Sequence, residues 1–458
     1  MQTQVRLFEA KMEIPANPDE EISMASHAQH PGLTFGGGLS RPASALALLC
    51  ALTMFATPAV HAQTYHVIHS FSGSQDGLYP VAGVTVDSHG NVYGTTNIGG
   101  SGTSCYEGCG AAFKLAHTGS GWVLTPLYDF VGGNDGGNPA ARLIVGPDGS
   151  LYGTTSQGGG SGCESGAGCG TVFNLRPPAH FTSHALGGWT ETVLYRFTGG
   201  NDGESPRGAD LLFDNAGNLY GTTIFGGGGD CQGGCGTVYK LTRSGSSWTE
   251  SIIHAFASTG DGQQPWAGVI SDQSGNLYGT TAQGGASRYG TAYQLMPSGS
   301  GFTEQILYSF HGTNDGGIPY GGLIFDPAGN LYGTTCCFGS GGGGTVFELT
   351  RSQGWAFSVL ASFTGDGSNG SLVMDAAGNL YGTTYEGGGF NYGTVFKLTP
   401  SGDGWTYTSL HDFCAGGWPC SDGAFPPSGL AFDSEGNLYG TTSDGGATGG
   451  GVVFEIAP

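Results

Sequence analysis

Gly329-Asn330-Leu331-Tyr332-Gly333-Thr334-Thr335 is one of seven near-identical copies of a heptapeptide, with tyrosines at Tyr93, Tyr152, Tyr220, Tyr278, Tyr332, Tyr381 and Tyr439. The copies lie 49 to 68 residues apart, and a repeat of that length marks a propeller or a solenoid. Reading outward from Gly329 separates the two. Gly321 to Asp326 is a short apolar run, Pro327-Ala328-Gly329 a tight turn, and Asn330 to Thr335 a second run. A glycine-rich loop leads to a third, Gly344 to Leu349, and after the turn Arg351 to Gly354 a fourth spans Trp355 to Phe363. Four β-runs joined by turns, with no helical period, predict a four-stranded antiparallel blade. A parallel β-helix would need parallel pairing, which hairpin-sized turns do not allow.

The two ends of the repeat region complement each other. Thr64 to Phe71 reads as a fourth strand (compare Leu307-Tyr308-Ser309-Phe310), whereas Gly451 to Ile456 reads as a third. The expected fold is therefore an all-β, seven-bladed β-propeller over residues 63–458. Its ring would be closed by the N-terminal strand pairing into the last blade, leaving no free edge. The elements G-N-L-Y-G-T-T, G-T-V-F-x-L and L-Y-x-F resemble the GloVer-type tandem repeat of large exported bacterial proteins, and the resemblance runs from about Tyr65 to the end. It implies a propeller-like repeat domain without an established activity. A weaker similarity to NHL-type blades, in P-x-x-G-L-x-x-D followed by G-N-L-Y, implies that the Gly322-Leu323 strand is innermost.

Glycine makes up 91 of 458 residues, about one in five against a usual share near 7%. It lacks a period of three, so it punctuates folded structure rather than building collagen. Lys and Arg number 13 against 35 Asp and Glu, a net charge of −22. That balance argues against duplex nucleic acid and anionic membrane surfaces, which are bound through basic side chains. Only 10% of residues are charged while 38% are hydrophobic, which excludes charge-driven disorder.

Residues 1–62 read as an N-terminal extension and secretory signal peptide: Arg41, an uncharged run from Ala43 to Ala56, and a small-residue cleavage pattern ending at Ala62. The run is too short to span a bilayer. Its late position points to Met24 as the true start. The expected localisation is secreted, extracellular or periplasmic. Ten cysteines follow in close pairs: Cys105/Cys109, Cys163/Cys169, Cys231/Cys235, Cys336/Cys337 and Cys414/Cys420. In an exported chain, even pairs read as local disulfides that stiffen their loops. Metal ligation is disfavoured because no His is interleaved at ligand spacing. The vicinal Cys336/Cys337 is left open between a ring disulfide and two thiols.

In the expected blade order, the second-to-third loops and the blade-to-blade loops share one face, which carries nearly all the elaboration. Sites on propellers are expected on such loops. The blade-to-blade loops repeat an Asp-Gly at Asp76, Asp135, Asp202, Asp261, Asp315, Asp366 and Asp422. These read as turns entering a strand in preference to Ca²⁺ ligands, so no cofactor or metal is expected, with Ca²⁺ the disfavoured alternative. His69, His254 and His411 replace Tyr at one fourth-strand position and read as packing groups. Residues that break the repeat are the better ligand-binding candidates: Tyr106, Glu164, Phe225, Tyr289, Tyr385, Glu386, Tyr392 and Trp418. Exposed aromatics with a few carboxylates suit a carbohydrate or a protein partner. A stiffened arc of Cys105/Cys109, Cys163/Cys169 and Cys231/Cys235 is expected to face the cysteine-free loops of Tyr289, Tyr392 and Thr448 across the axial mouth. Three functions stand: a non-catalytic exported binding or surface module, a polysaccharide hydrolase or lyase using Glu164 and Glu386, and a structural cell-envelope repeat. No nucleophile motif decides for or against an enzyme.

Overall fold

The computed structural model describes residues 63–458 except 120, 161, 162, 164, 165, 179–187, 209, 258, 259, 300, 366 and 403. The expected signal peptide, the Met24 start and Glu164 lie outside the described residues. Seven antiparallel four-stranded blades form a ring. Blade 4 shows the plan: Ile270–Ser271, Leu277–Thr281, Thr291–Ser298 and Gly301–Ser309, running from axis to rim. Blade 7 is split. Ala431–Phe432, Leu438–Thr442 and Val452–Ala457 are completed by Thr64–Ser70, which pairs antiparallel from Thr64 with Ala457 to Ser70 with Val452. The seam expected from the sequence is thus formed.

The heptapeptide explains itself in place. In the turn before it, Asp272 accepts the Asn276 side-chain amide at 2.8 Å and the Tyr278 hydroxyl at 3.0 Å. The same Asp–Tyr bond recurs at Asp87–Tyr93, Asp326–Tyr332, Asp375–Tyr381 and Asp433–Tyr439. Tyr278 packs edge-on against Phe325 of the next blade at 5.2 Å. The first threonine of six of the seven Thr-Thr pairs reaches across the junction: Thr280 donates to the Gly321 carbonyl at 3.0 Å, and Thr441 to Ala82 at 2.9 Å over the seam.

Two features were not legible as strands and turns. The first strand, expected from Gly321 to Asp326, is only Ile324–Phe325. Its leading residues serve the neighbouring blades instead, as the Gly322 amide donates to the Ser371 hydroxyl at 2.9 Å. Every fourth strand carries a β-bulge, as between Val67 and His69 and between Ala292 and Tyr293 of the pairing ladder. The extra residue is the aliphatic one of L-Y-x-F (Leu307 in blade 4). A bulge bends the strand and re-aims the residues after it. It sends the Tyr or His toward the rim and the Phe into the core.

That Phe builds the junctions. Each one packs on the third-strand aromatic of the next blade: Phe71–Phe113 at 5.2 Å, Phe130–Phe173 at 5.0 Å, Phe256–Tyr293 at 5.1 Å and Phe310–Phe347 at 5.2 Å, with equivalents at the other three. Burying a large apolar side chain contributes roughly 1.5–3 kcal/mol, so seven such contacts dominate the ring. Close backbone approach completes each junction. Gly290, at φ +97°, would place a Cβ 2.7 Å from Pro319 of the following blade and 2.3 Å from the Thr281 carbonyl. Only glycine fits there.

Candidate functional site

Ile318, at φ +56°, precedes Pro319, and its amide donates to the Tyr289 carbonyl at 2.8 Å. Five other blades place a non-glycine residue with positive φ before the corresponding proline: Tyr79, Asn138, Ser205, Gln264 and Phe425. Blade-to-blade and second-to-third loops are thereby tied together on one face. The repeated aspartates act as turn formers. Asp315 accepts the His311 amide at 2.8 Å and the Tyr308 hydroxyl at 3.0 Å, and Asp135 and Asp202 repeat both bonds with Val131 and Tyr128, and with Thr198 and Tyr195. Asp366 lies outside the described residues.

All five cysteine pairs are disulfides, including the vicinal Cys336–Cys337. Their depth was not expected of loop bridges. Cys109, Cys169 and Cys235 are core residues, fully buried in the blade junctions. Cys109 packs in one cluster with Phe130 and Phe173, Cys169 with Phe197 and Tyr239, and Cys235 with Phe256 and Tyr293. Cys163, Cys414 and Cys420 are buried as well, while Cys105 and Cys231 are partly so. Bridged sulfur is apolar and favours such burial. The backbone fixes the depth: the Cys109, Cys169 and Cys235 carbonyls accept the amides of Asn138, Ser205 and Gln264, each at 2.8 Å. The carbonyls of Tyr289 and Tyr392 accept Ile318 and Phe425 in the same way. These three cysteines and two tyrosines therefore hold one repeat position in five blades, and the bridges pin loops to junctions.

Of the aromatic candidates, the structure joins three. Tyr385 lies 5.3 Å from Phe425, Phe425 5.4 Å from Tyr392, and Tyr392 6.5 Å from Trp418. Trp418 is 62% exposed and sits inside the loop closed by Cys414–Cys420. Glu386 follows Tyr385 and is half-buried. Tyr289 belongs elsewhere: it packs on Phe338 at 4.8 Å, and no ring contact links it to Tyr392. Phe225 is half-buried in a two-residue ladder with Glu204. Tyr106 stands apart, 78% exposed, in the Cys105–Cys109 loop.

A second group escaped the sequence reading. The residue after each strand-entry proline varies from blade to blade, and three consecutive blades place Arg207, Trp266 and Tyr320 there. The Arg207 guanidinium lies 5.8 Å from the Trp266 ring, which meets Tyr320 edge-on at 5.0 Å. Burial lowers the Arg207 pKa to about 10, leaving it charged at neutral pH. The Trp266 Nε1 is buried without a hydrogen-bond partner. Nearby, Arg142 and Asp210 form an ion pair at 2.8 Å. The signal was the variable position beside an otherwise fixed proline.

Three glutamates with raised pKa values lie away from the loops, in the rim of three junctions, whereas Asp444, raised by burial, sits in the second-to-third loop of blade 7. Glu191, Glu250 and Glu304 open the fourth strands of blades 2, 3 and 4, each paired in register with the third-strand leucine. Each faces the turn aspartate of the preceding blade. Burial, then the charge of Asp135 or Asp202, raises Glu191 and Glu250 to about 7. Burial and Asp261 raise Glu304 likewise. At the same register position the other blades carry Leu124, Phe357, Tyr407 and Tyr65. The recurrent Trp-Thr-Glu of Trp189-Thr190-Glu191 and Trp248-Thr249-Glu250 was the sequence sign of this pattern.

The sequence profile of the Gloeobacter/Verrucomicrobia repeat matches residues 53–233 and 227–454. No curated protein matches. Among solved structures, a fungal alcohol oxidase of the AA5 family in complex with copper is similar at 12% identity and a TM-score of 0.50, covering 87% of this chain and 76% of its own. A glucose dehydrogenase matches at 13% identity and a TM-score of 0.41, covering 86% and 99%. A Bacteroides uniformis protein assigned as a 6-phosphogluconolactonase matches at 13% and 0.46, covering 72% and 84%. The likeness to the oxidase is one of fold.

Proposed function

The chain belongs to the Gloeobacter/Verrucomicrobia repeat family, and from that premise we propose that it is an exported, non-catalytic propeller that binds carbohydrate on its loop face. The observation that carries this reading is the connected row Trp418, Tyr392, Phe425 and Tyr385. Ring faces take the apolar face of a sugar, and a row of them suits successive residues of a chain. The Cys414–Cys420 bridge stiffens the loop bearing Trp418, which lowers the ordering cost of binding. A non-catalytic role is supported by where Glu191 and Glu250, raised to about 7, lie: they are packed into blade junctions, whereas a catalytic acid would face the ligand. Export is supported by five disulfides of short span. No helix among the described residues is long and apolar enough to cross a membrane.

A broad glycan array probed with the labelled protein and with Trp418→Ala tests this. Binding to a polysaccharide that the substitution weakens by at least tenfold, about 1.4 kcal/mol, with melting unchanged, is expected. Failure to bind any glycan, or equal binding by the variant, would refute it. Release of reducing ends or unsaturated products from the bound glycan would instead establish the hydrolase or lyase reading.

A further inference from the structure

We propose that His254, Asp261 and Glu304 form a binding site for one divalent cation of the zinc class, at the rim between blades 3 and 4. His254 lies in the fourth strand of blade 3, Asp261 in the loop leaving that blade, and Glu304 in the fourth strand of blade 4. The His254 Nε2 is 3.3 Å from Asp261 Oδ2 and 3.8 Å from Glu304 Oε1. All three ligand atoms lie within 4.8 Å of one another. Tetrahedral ligands held at about 2.0 Å from zinc stand about 3.3 Å apart, so the trio needs only a small closure to surround an ion.

Glu304 Oε1 is buried with no donor beside it, and it reaches the Asp261 carboxyl in a hydrogen bond only when one of the two holds a proton. A buried acceptor left in this state calls for a proton or a cation. The second oxygen of Asp261 accepts the Gly262 amide at 2.6 Å, and Oδ2 the Ala257 amide at 2.9 Å, which orients the carboxylate as an outer-shell partner would. A nitrogen and two carboxylates suit zinc with a water at the fourth position. Calcium would want six to eight oxygens.

The other junctions act as internal controls. His69–Asp76 and His411–Asp422 pair at 3.2 and 3.0 Å, but the neighbouring blades offer Leu124 and Tyr65 in place of a carboxylate. Glu191 and Glu250 face Asp135 and Asp202, but Tyr128 and Tyr195 stand where His254 does. Only the junction of blades 3 and 4 unites all three donors, and among the described residues no other such group occurs. A cation there would join two blades.

The test uses the whole exported chain, stripped with a chelator and titrated calorimetrically with zinc chloride. One equivalent is expected to bind and to raise the melting temperature. His254→Tyr, which installs the residue found at the equivalent position in blades 1, 2 and 4, should weaken binding at least tenfold. Glu304→Gln should do the same, and it carries the test if the first variant does not fold. His411→Tyr should bind as the wild type does. Absence of saturable zinc binding, or affinity unchanged in His254→Tyr or Glu304→Gln, would overturn the proposal.

Discussion

The junctions between blades 1 and 4 and those between blades 4 and 7 solve the same packing problem in opposite ways. Both use a Phe-on-aromatic contact at the core, and both must fill the rim position beside the preceding blade's turn aspartate. In the second set a ring does so: Phe357 stacks on Tyr308 at 4.0 Å, Tyr407 lies 5.9 Å from Phe396, and Tyr65 stacks on His411 at 3.7 Å. In the first set Glu191, Glu250 and Glu304 do so, and each has a buried oxygen with no donor beside it. Apolar filling stabilises the ring. Buried carboxylates do not, because desolvating a charge beside a like charge outweighs what they gain.

The contrast can be broken or sharpened in order of effect. Removing residues 63–71 takes Tyr65 and Phe71 from two apolar junctions and leaves Val452–Ala457 as an open edge. Aggregation on size-exclusion chromatography and loss of the cooperative melt are expected. A truncated protein that melted like the full chain would contradict the closure. Next, Phe310→Ala in a ring-filled junction should cost about 3–5 kcal/mol by denaturant unfolding. A smaller change of opposite sign is expected from Glu250→Phe, which copies the Phe357 arrangement beside Tyr195 and Asp202. It should stabilise by about 1–2 kcal/mol, and destabilisation would show that the carboxylate helps the fold.

The contrast also carries a slope with pH. Glu191 and Glu250 titrate near 7 when folded and near 4.3 when unfolded. Between those values the folded state holds protons that the unfolded state has released, so these two groups make stability fall as pH rises from about 4.5 to about 7. Below that window they contribute no pH dependence. The double variant Glu191→Gln/Glu250→Gln should flatten melting temperature against pH across it, and an unchanged slope would place the titration elsewhere.

Much of the fold was legible because each blade restates the same contacts. Tyr278, Thr280 and Phe310 each recur at a fixed place in the repeat, so periodicity alone located them. What was hidden depends on neighbours. The bulge at Leu307 leaves no mark on alternation beyond the L-Y-x-F spacing, and the two-residue first strand follows from its amides being drawn to adjacent blades. Cys169 and Cys235 were legible as halves of bridges, but their burial was not, because the Phe and Tyr rings that cover them come from other strands. At the candidate sites, Tyr385 and Tyr392 were legible as repeat-breakers, but their connection through Phe425 was not. Nor was the separation of Tyr289 from them. Glu304 and Arg207 were overlooked because each sits one residue from a recurrent landmark, a threonine or a proline, and reads as part of it.

The contact of Gly290 with Pro319 bears on how such a chain can grow and diverge. The glycine belongs to one copy and the proline that forbids it a side chain belongs to the next; Gly110 with Pro139 and Gly451 with Pro80 repeat the arrangement. A duplicated segment therefore inherits half of two contacts rather than the whole of one. It joins the ring only if its neighbours already carry the other halves. The unit that recombination can add or delete without penalty is the junction, and the blade is merely the span between two of them.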